Sequence, residues 1–434
     1  MQNEKVKIAI LGFGTVGLGV YRVISENVDQ LLHREKIEYS VKRILEKDLT
    51  SGVNLDKAPK ELFTTDINEI INDKEISTVC ECIGGVEPAR TFILKVLESG
   101  KNVVTSNKEV VAKHWPEFQA AAEKSGAGFY IEATAGGGMP IIRTLIDSMQ
   151  ANNIDLIMGI VNGTTNYILT KMTQEGADYA KTLAQAQALG YAEANPAADV
   201  EGWDCVYKLS ILSSIAFHAR VSIDEIYREG ITGVTVEDIK IAKDLGYVIK
   251  LLAIGKKFKG MNGELQVRVH PTMIPMTHPL ATVNGVFNGV FLHGHAVDDI
   301  MLYGRGAGEQ PTASAMVSDL IYASHTTNHK YMTFVNTYDA AKTHIIQNDW
   351  ISAYCIRMNV KDEAGVLAKV ASIFANHGIS IKNALQRSID KDSHSATIIF
   401  ITHQAKEASL QAAVTEIKAL PVVSEIQSVM RVED

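Results

Sequence analysis

The stretch Val6-Lys7-Ile8-Ala9-Ile10-Leu11-Gly12-Phe13-Gly14-Thr15-Val16-Gly17 decides how the first third of the chain folds. Its opening six residues form a short, mainly apolar run suited to a buried strand. The pattern G-x-G-x-x-G follows at once, and Val16, Val20, Val23, Ile24, Val28 and Leu31 then recur at helical spacing, which predicts a helix reaching Leu31. Strand, glycine turn and helix in that order is the context in which the motif holds a dinucleotide. Gly12 allows the tight turn, Gly14 lets backbone approach a pyrophosphate, and Gly17 lets the helix pack closely on the strand. Phe13, Thr15 and Val16 share that turn, and the free N–H groups at the helix start attract phosphate. The glycine spacing also argues against a signal peptide, which uncharged residues 8–20 after Lys5 and Lys7 superficially suggest.

Working outward, a second strand is expected over 39–45, ending near the adenosine ribose. An acidic residue there favours NAD through the 2′-hydroxyl, and a basic one tolerates the 2′-phosphate of NADP. Glu46-Lys47-Asp48 carries both signs with Arg43 just upstream. The reading leans to NADP(H) through Lys47, with NAD(H) as the alternative. Further strands are expected over 78–83, running into Gly84-Gly85, over 102–105, running into Ser106-Asn107-Lys108, and over 128–132, with helices between. Such alternation means a doubly wound parallel sheet of Rossmann type. Ligands bind these sheets at the carboxyl ends of the strands, which places Gly84, Gly85, Ser106 and Lys108 beside the cofactor or substrate. Cys80 and Cys82 read as small core residues of a strand.

At 434 residues and 47.4 kDa the chain is too long for one ordinary core, so about two to four domains are expected. Hydrophobic residues make up 46% and charged residues 21%, which excludes a disordered or fibrous chain. Forty-two basic against fifty acidic residues give a net charge of −8. That balance disfavours nucleic acid and anionic membranes as partners but leaves room for a local anion pocket. Four cysteines suit a reducing, cytoplasmic compartment, and no apolar run is long enough to span a bilayer.

From about Thr134 the periodicity changes. Ala135-Gly136-Gly137-Gly138-Met139-Pro140 is a glycine-rich bend leading into a helix expected over 141–149. Converging carbonyls there, with the carboxylate of Glu132, are oxygen donors of the kind hard cations prefer; a plain turn is the alternative. A strand over 154–161 precedes Asn162-Gly163-Thr164-Thr165-Asn166, where Asn162 or Thr164 can cap the next helix. Gly190-Tyr191-Ala192-Glu193-Ala194 and Asp199-Val200-Glu201-Gly202 then lead to Asp204 and Lys208, four apart on one helix face. Such a pair is usually a surface ion pair. This helix, however, continues through Leu209, Ile211, Leu212, Ile215 and Phe217, so the pair either lies buried or lines a pocket. A lysine in a partly desolvated pocket is suited to proton transfer. Gly304-Arg305-Gly306-Ala307-Gly308 is a second glycine loop before a helix expected over 313–322, and His293 and His295 read as structural.

Residues 325–350 lose periodicity and read as a linker. After them come a strand (351–360), a turn at Asp362-Glu363-Ala364-Gly365, a helical stripe from Val366 to Phe374, two strands, a helix and a last strand. The order βαββαβ fits a ferredoxin-like module.

The chain resembles the long bacterial form of the homoserine dehydrogenase family along essentially its whole length. The most specific stretches are Thr105-Ser106-Asn107-Lys108, Asn162-Gly163-Thr164-Thr165-Asn166-Tyr167, Gly190-Tyr191-Ala192-Glu193-Ala194, Asp199-Val200-Glu201-Gly202 with Lys208, and Gly304-Arg305-Gly306-Ala307-Gly308. The resemblance implies an α/β chain with a Rossmann domain over 1–134, completed by about 305–325. An α+β substrate and dimerisation domain would follow over 135–304, then a linker over 326–349 and a ferredoxin-like ACT regulatory domain over 350–434. It implies reversible, NAD(P)-dependent interconversion of L-aspartate 4-semialdehyde and L-homoserine, a step toward threonine and methionine.

Residue by residue, Lys208 would transfer the proton and Lys108 would stand beside nicotinamide and substrate. Glu193 and Asp204 would bind the substrate ammonium, with Asp199 and Thr164 close by. Gly12, Phe13, Gly14, Thr15, Val16, Gly17, Lys47, Gly84, Ser106, Gly190 and Gly308 would contact the cofactor. Glu132, with the carbonyls of Ala135, Gly137 and Met139, would match a structural sodium site, although Ala135 and Met139 stand where valine and isoleucine or leucine are usual in the family. L-threonine acting at the ACT domain and assembly as a homodimer or homotetramer are implied as well. Two other readings share the architecture: a different small-carbonyl reductase, and a catalytically inactive amino-acid sensor. The Lys108, Glu193, Asp204 and Lys208 constellation argues against both. No kinase segment is expected upstream.

Overall fold

The opening run forms β1 (Glu4–Leu11), and its residues from Ile8 to Leu11 are completely buried. In this computed structural model the residues described are 4–50, 54–258, 264–325, 345–390 and 394–433. The glycine turn leads directly into α1 (Thr15–Glu26). The helix expected to reach Leu31 instead breaks at Asn27, whose Nδ2 donates to the Val23 carbonyl at 2.8 Å. An asparagine side chain competes with main-chain donors in this way, and the hydrophobic spacing did not register it. The chain restarts as α2 (Val28–Glu35), which buries none of its residues.

There follow β2 (Ile37–Leu45), β3 (Phe63–Thr64), α3 (Ile67–Ile71), β4 (Ile76–Glu81), α4 (Ala89–Glu98), β5 (Asn102–Thr105), α5 (Lys108–Ser125) and β6 (Phe129–Tyr130). The strands pair in parallel in the order β3-β2-β1-β4-β5-β6. The order reverses between β1 and β4, which opens a crevice at their carboxyl ends.

The middle region begins with α6 (Ile141–Arg143). Its continuation over Thr144–Ser148 widens into a π-turn, with the Met149 N–H on the Thr144 carbonyl at 2.9 Å, so the regular helix expected over 141–149 loosens after one turn. Next come β7 (Ile154–Ile160), α7 (Gly163–Glu175), α8 (Tyr179–Ala188), α9 (Ala197–Val200), α10 (Trp203–Phe217), β8 (Tyr227–Arg228) and α11 (Val236–Asp244). Four longer strands follow: β9 (Tyr247–Lys257), β10 (Glu264–Pro275), β11 (Phe287–Gly294) and β12 (Asp298–Arg305). α12 (Glu309–His325), longer than the helix expected over 313–322, returns to the first sheet. Its Ala313, Met316 and Leu320 share a core with Ile8 and Ile10, and Arg22 on α1 pairs with Glu309 at 2.7 Å.

The C-terminal elements are β13 (Ile345–Ile346), β14 (Ile351–Lys361), α13 (Val366–Asn376), β15 (Ile381–Asp390), β16 (Ser395–Thr402), β17 (Ala405–Lys406), α14 (Glu407–Lys418) and β18 (Val423–Val432). Most of the expected linker, residues 326–344, lies outside the described residues. Helices α13 and α14 cover one face of this sheet around Phe374, Phe400 and Leu410. Its other face, with Cys355, Ile399, Ile401 and Met430, joins the core of the middle region. β18 also pairs in parallel with β10, Thr272 opposite Arg431 and Met273 opposite Val432. One sheet therefore runs β12-β11-β7-β9-β10-β18-β14-β16-β15 through both regions.

Lys250 on β9 is 1% exposed and donates to the carbonyl of Val283 at 2.5 Å and to the side-chain oxygens of Asn166 and Asn284 at 3.1 and 3.2 Å. Burial pushes its pKa down to about 8 from an ordinary 10.5. Between those values the unfolded chain holds a proton that the folded chain lacks, so stability rises with pH across that window. Against Lys250→Met, the wild type should gain on the order of 3 kcal/mol on going from pH 8 to 10.5. Denaturation curves that stay parallel for the two proteins across this range would contradict the assignment.

Candidate active site

Gly202, at φ +88°, turns the chain into α10, and the helix sinks into the core so completely that Asp204 and Lys208 are each 6% exposed. The i,i+4 spacing brings Lys208 Nζ to Asp204 Oδ2 at 2.7 Å, and the same ammonium donates to the Val161 carbonyl at 2.6 Å. From the first sheet, Lys108 at the start of α5 brings its Nζ to Asp204 Oδ1 at 3.0 Å. One buried carboxylate thus holds two lysines from two different regions. Burial pushes the Asp204 carboxyl up, but Lys108 and Lys208 outweigh that and hold it well below the usual carboxylate range. Asp204 in turn raises the Lys108 ammonium.

Asn162 completes the cluster. Its Nδ2 donates to Asp204 Oδ2 at 2.9 Å and to Asp199 Oδ1 at 2.7 Å, while its Oδ1 accepts from the Thr165 N–H at 2.8 Å and caps α7. The capping role expected of Asn162 and its place in the cluster are therefore one arrangement. Asp199, half-buried, has its carboxyl pushed up by burial and by the charge of Asp204. Thr164 does not cap; its hydroxyl donates to the Tyr191 carbonyl at 2.6 Å and ties α7 to the 189–195 loop. Glu193 lies exposed on that loop with Gly190, and among the described residues its carboxylate makes no ion pair with the cluster. Local sequence marks Asn162 as a cap, because a capping signal lies within one turn, whereas its Nδ2 partners are 37 and 42 residues away.

At the crevice of the first sheet, a Cβ on Gly17 would stand 2.0 Å from the Gly12 carbonyl, so only glycine lets α1 approach its strand this closely. Gly14 has no atom within 4 Å of such a Cβ, and no side chain caps α1. That open space before uncapped N–H groups fits a dinucleotide pyrophosphate. Phe13 is buried against Tyr21 and Phe63, so only its backbone faces the turn.

The adjoining Gly84-Gly85 turn, both residues at positive φ, is held by Glu81, which is fully buried. Glu81 accepts from the Ile83 N–H at 2.7 Å and from the Thr105 hydroxyl at 2.5 Å, and Asn107 Nδ2 donates to the Gly85 carbonyl at 2.6 Å. Ser106, between Thr105 and Asn107, thus sits beside Lys108 at the same strand end. Gly308 stands at the start of α12, where the Thr312 N–H returns to its carbonyl at 3.1 Å. Lys47 is exposed.

The 135–139 bend packs against the second glycine loop, with the Gly138 N–H on the Arg305 carbonyl at 3.2 Å. Both Glu132 carboxylate oxygens accept main-chain N–H groups at the start of α6, from Ile142 at 2.9 Å and Arg143 at 2.7 Å. Among the described residues no group of three or more His, Cys, Asp and Glu side chains could hold a metal ion, and no helix is long and apolar enough to cross a membrane. His293 pairs with Asp155 at 2.6 Å, and His295 Nδ1 accepts from the Asn153 N–H.

Comparison with known proteins accounts for this arrangement. Residues 12–132 match the family model for the NAD-binding domain of homoserine dehydrogenase, 140–321 that for homoserine dehydrogenase, and 356–422 that for the ACT domain. The homoserine dehydrogenase of Corynebacterium glutamicum is 43% identical over 99% of this chain and 96% of its own length. That of Bacillus subtilis is 38% identical over 99% of each. The crystal structure of a homoserine dehydrogenase from Thiobacillus denitrificans shares the fold at a TM-score of 0.92 and 38% identity, covering 100% of both chains. With its nucleotide crevice and its two-lysine cluster, the chain belongs to the homoserine dehydrogenase family, NAD(P)-dependent oxidoreductases acting on CH–OH groups, and carries a C-terminal ACT domain.

Proposed function

We propose that Lys208, Lys108 and Asp204 form the catalytic group that interconverts L-aspartate 4-semialdehyde and L-homoserine. The observation that carries this reading is the buried carboxylate shared by two lysines, one from each side of the crevice. When bound, the reduced nicotinamide supplies the hydride equivalent that the aldehyde carbon accepts. Lys208, already an N–H donor to two oxygens, donates a proton to the aldehyde oxygen as negative charge develops there, and recovers one from solvent. Asp204 keeps both ammonium groups in place, so the proton donor is oriented before substrate arrives. Asp199 and Glu193, with Asp204, add negative charge that suits the substrate ammonium. Thr164 holds the loop that carries Glu193.

Gly12, Gly14, Gly17 and the main chain of Thr15 and Val16 would hold the pyrophosphate, with Phe13, whose N–H is taken by Glu46, shaping the turn and Gly84, Ser106, Gly190 and Gly308 around the rest of the cofactor. A spectrophotometric assay with aspartate semialdehyde and each reduced nicotinamide tests the whole reading. No oxidation of either nucleotide by a folded chain would leave the inactive-sensor reading in its place.

For sodium, the main-chain carbonyls of Ala135, Gly137 and Met139 are hard oxygen donors of the right kind. Glu132, whose carboxylate oxygens each accept one main-chain N–H at α6 and keep further lone pairs, would complete that donor set. The four free cysteines support a cytoplasmic location, and the outer edge of β12, where Tyr303 is exposed, supports a homodimer or homotetramer.

Threonine control through the ACT domain is part of the same proposal. Gly365 turns at φ +89° into α13, and Asp362 beside it accepts from Gln386 at 3.3 Å. Cutting the module away is a poor test, because β18 is paired with β10. Titrating threonine into the full-length enzyme should lower the rate, and Asp362→Ala should raise the midpoint at least about tenfold. A rate that stays flat in threonine removes that effector.

A further inference from the structure

We propose that Glu46 makes this enzyme select NAD(H) over NADP(H), an inference that rests on the dehydrogenase reading and refines its cofactor. The Gly12 N–H donates to the Leu45 carbonyl at 2.9 Å, so the end of β2 is tied directly to the glycine turn. The next residue, Glu46, has its own N–H on the Thr64 carbonyl at 3.0 Å, which fixes its backbone. Its side chain then folds back toward the turn. One carboxylate oxygen accepts the Phe13 N–H, and the other accepts the Lys47 N–H at 3.3 Å. A half-buried carboxylate therefore stands between the glycine turn and the end of the second strand, where the adenosine ribose of a bound dinucleotide lies.

That carboxylate has acceptor capacity left for ribose hydroxyls, which are donors. A 2′-phosphate brings two negative charges to the same spot, and like charges at contact distance disfavour each other strongly outside bulk water. Nearby cations do not offset this. Arg43 is turned to Glu69 at 3.4 Å, Lys42 pairs with Asp73 and Glu75 at 2.5 Å, and Lys57 pairs with Asp56 at 2.7 Å. Lys47 follows Glu46 but projects into solvent, where a mobile ammonium is weakened by screening. The sequence reading leans to NADP(H) through Lys47; the direction in which Glu46 points reverses that preference.

The test is equilibrium binding, read from nicotinamide fluorescence as NADH or NADPH is titrated into the purified full chain. The wild type should bind NADH at least about tenfold more tightly than NADPH. Glu46→Gln, which keeps the shape and removes the charge, should narrow that ratio at least about tenfold, chiefly by strengthening NADPH. Equal or tighter NADPH binding by the wild type overturns the proposal without any variant. So does an unchanged ratio in Glu46→Gln. A folded wild-type chain that binds neither nucleotide overturns the dehydrogenase reading and this inference together.

Discussion

Lys208→Ala should bind its dinucleotide normally yet turn over at least about a thousandfold more slowly than the wild type. The expectation follows from what the side chain touches. Lys208 lies in the core at 6% exposure, bonded to one carbonyl and one carboxylate, so alanine removes the only proton donor that α10 presents beside Asp204. The nucleotide crevice is built from other elements and keeps its shape. Lys108 reaches the opposite oxygen of Asp204 and is partly exposed, so its geometry does not let it substitute. Lys208→Arg is the informative companion. It keeps the positive charge on Asp204, but a guanidinium does not give up its proton near neutral pH, so it should restore stability without restoring rate. The readouts are single-turnover rates and NADH binding on each protein. Turnover of Lys208→Ala within tenfold of wild type would sink the assignment.

Glu433→Ala should destabilise the folded chain by about 3–5 kcal/mol. Arg268 on β10 has no exposed surface, and its charge is met by Glu433, which immediately follows β18. The other Glu433 oxygen takes Lys256 at 2.7 Å. Without this carboxylate, Arg268 keeps the neutral partners Gln266 and His270, each at 3.1 Å, and the face of the Trp350 ring, and a buried charge is left without a counter-ion.

The pH dependence has a definite sign. Burial pushes the Glu433 carboxyl up, but Arg268 and Lys256 together hold it below its ordinary value. Its stabilisation is therefore present above the usual glutamate range and disappears as pH falls through the lowered value. Wild type and variant should converge in stability in acid and diverge near neutrality. Disrupting the exposed pair Lys5–Glu38 in the same way should barely move the transition. Urea denaturation of the full chain decides the matter, and a loss below about 1 kcal/mol at neutral pH would count against a buried ionic lock.

This lock matters because it joins the ACT module to the sheet that carries the substrate region. Around it, Arg431 bonds Glu407 at 2.6 Å, and Arg357 meets Asp238 of α11 at 3.0 Å. A βαββαβ pattern reads from sequence as an independent module on a linker. The parallel pairing of β10 with β18 makes it an extension of its neighbour.

Much of the site was legible because its signals are short. The glycine turn, the strand ends bearing Ser106 and Lys108, and the four-residue spacing of Asp204 and Lys208 on an apolar helix each lie within one turn or one strand. The break at Asn27, the Asn162 bridge to two aspartates and the bonds of Glu132 to the start of α6 were not legible in the same way. Asn162 and Glu132 have roles that depend on which donors arrive from elsewhere in the chain. Asn27 failed for a different reason: hydrophobic periodicity is blind to a side chain that competes with its own backbone.

By itself the sequence determined the doubly wound nucleotide region, the family and the four-residue spacing of Asp204 and Lys208 on one apolar helix, because periodicity and motif spacing are properties of neighbouring residues. Tertiary structure alone decided that one buried carboxylate serves both lysines, that Glu46 turns back on the glycine turn, and that the regulatory module shares a sheet with the catalytic one. The physical reason is the same in each case. A charge acquires its chemistry from what desolvates and neutralises it, and the partners of Lys108, Phe13 and Arg268 stand 96, 33 and 165 residues away.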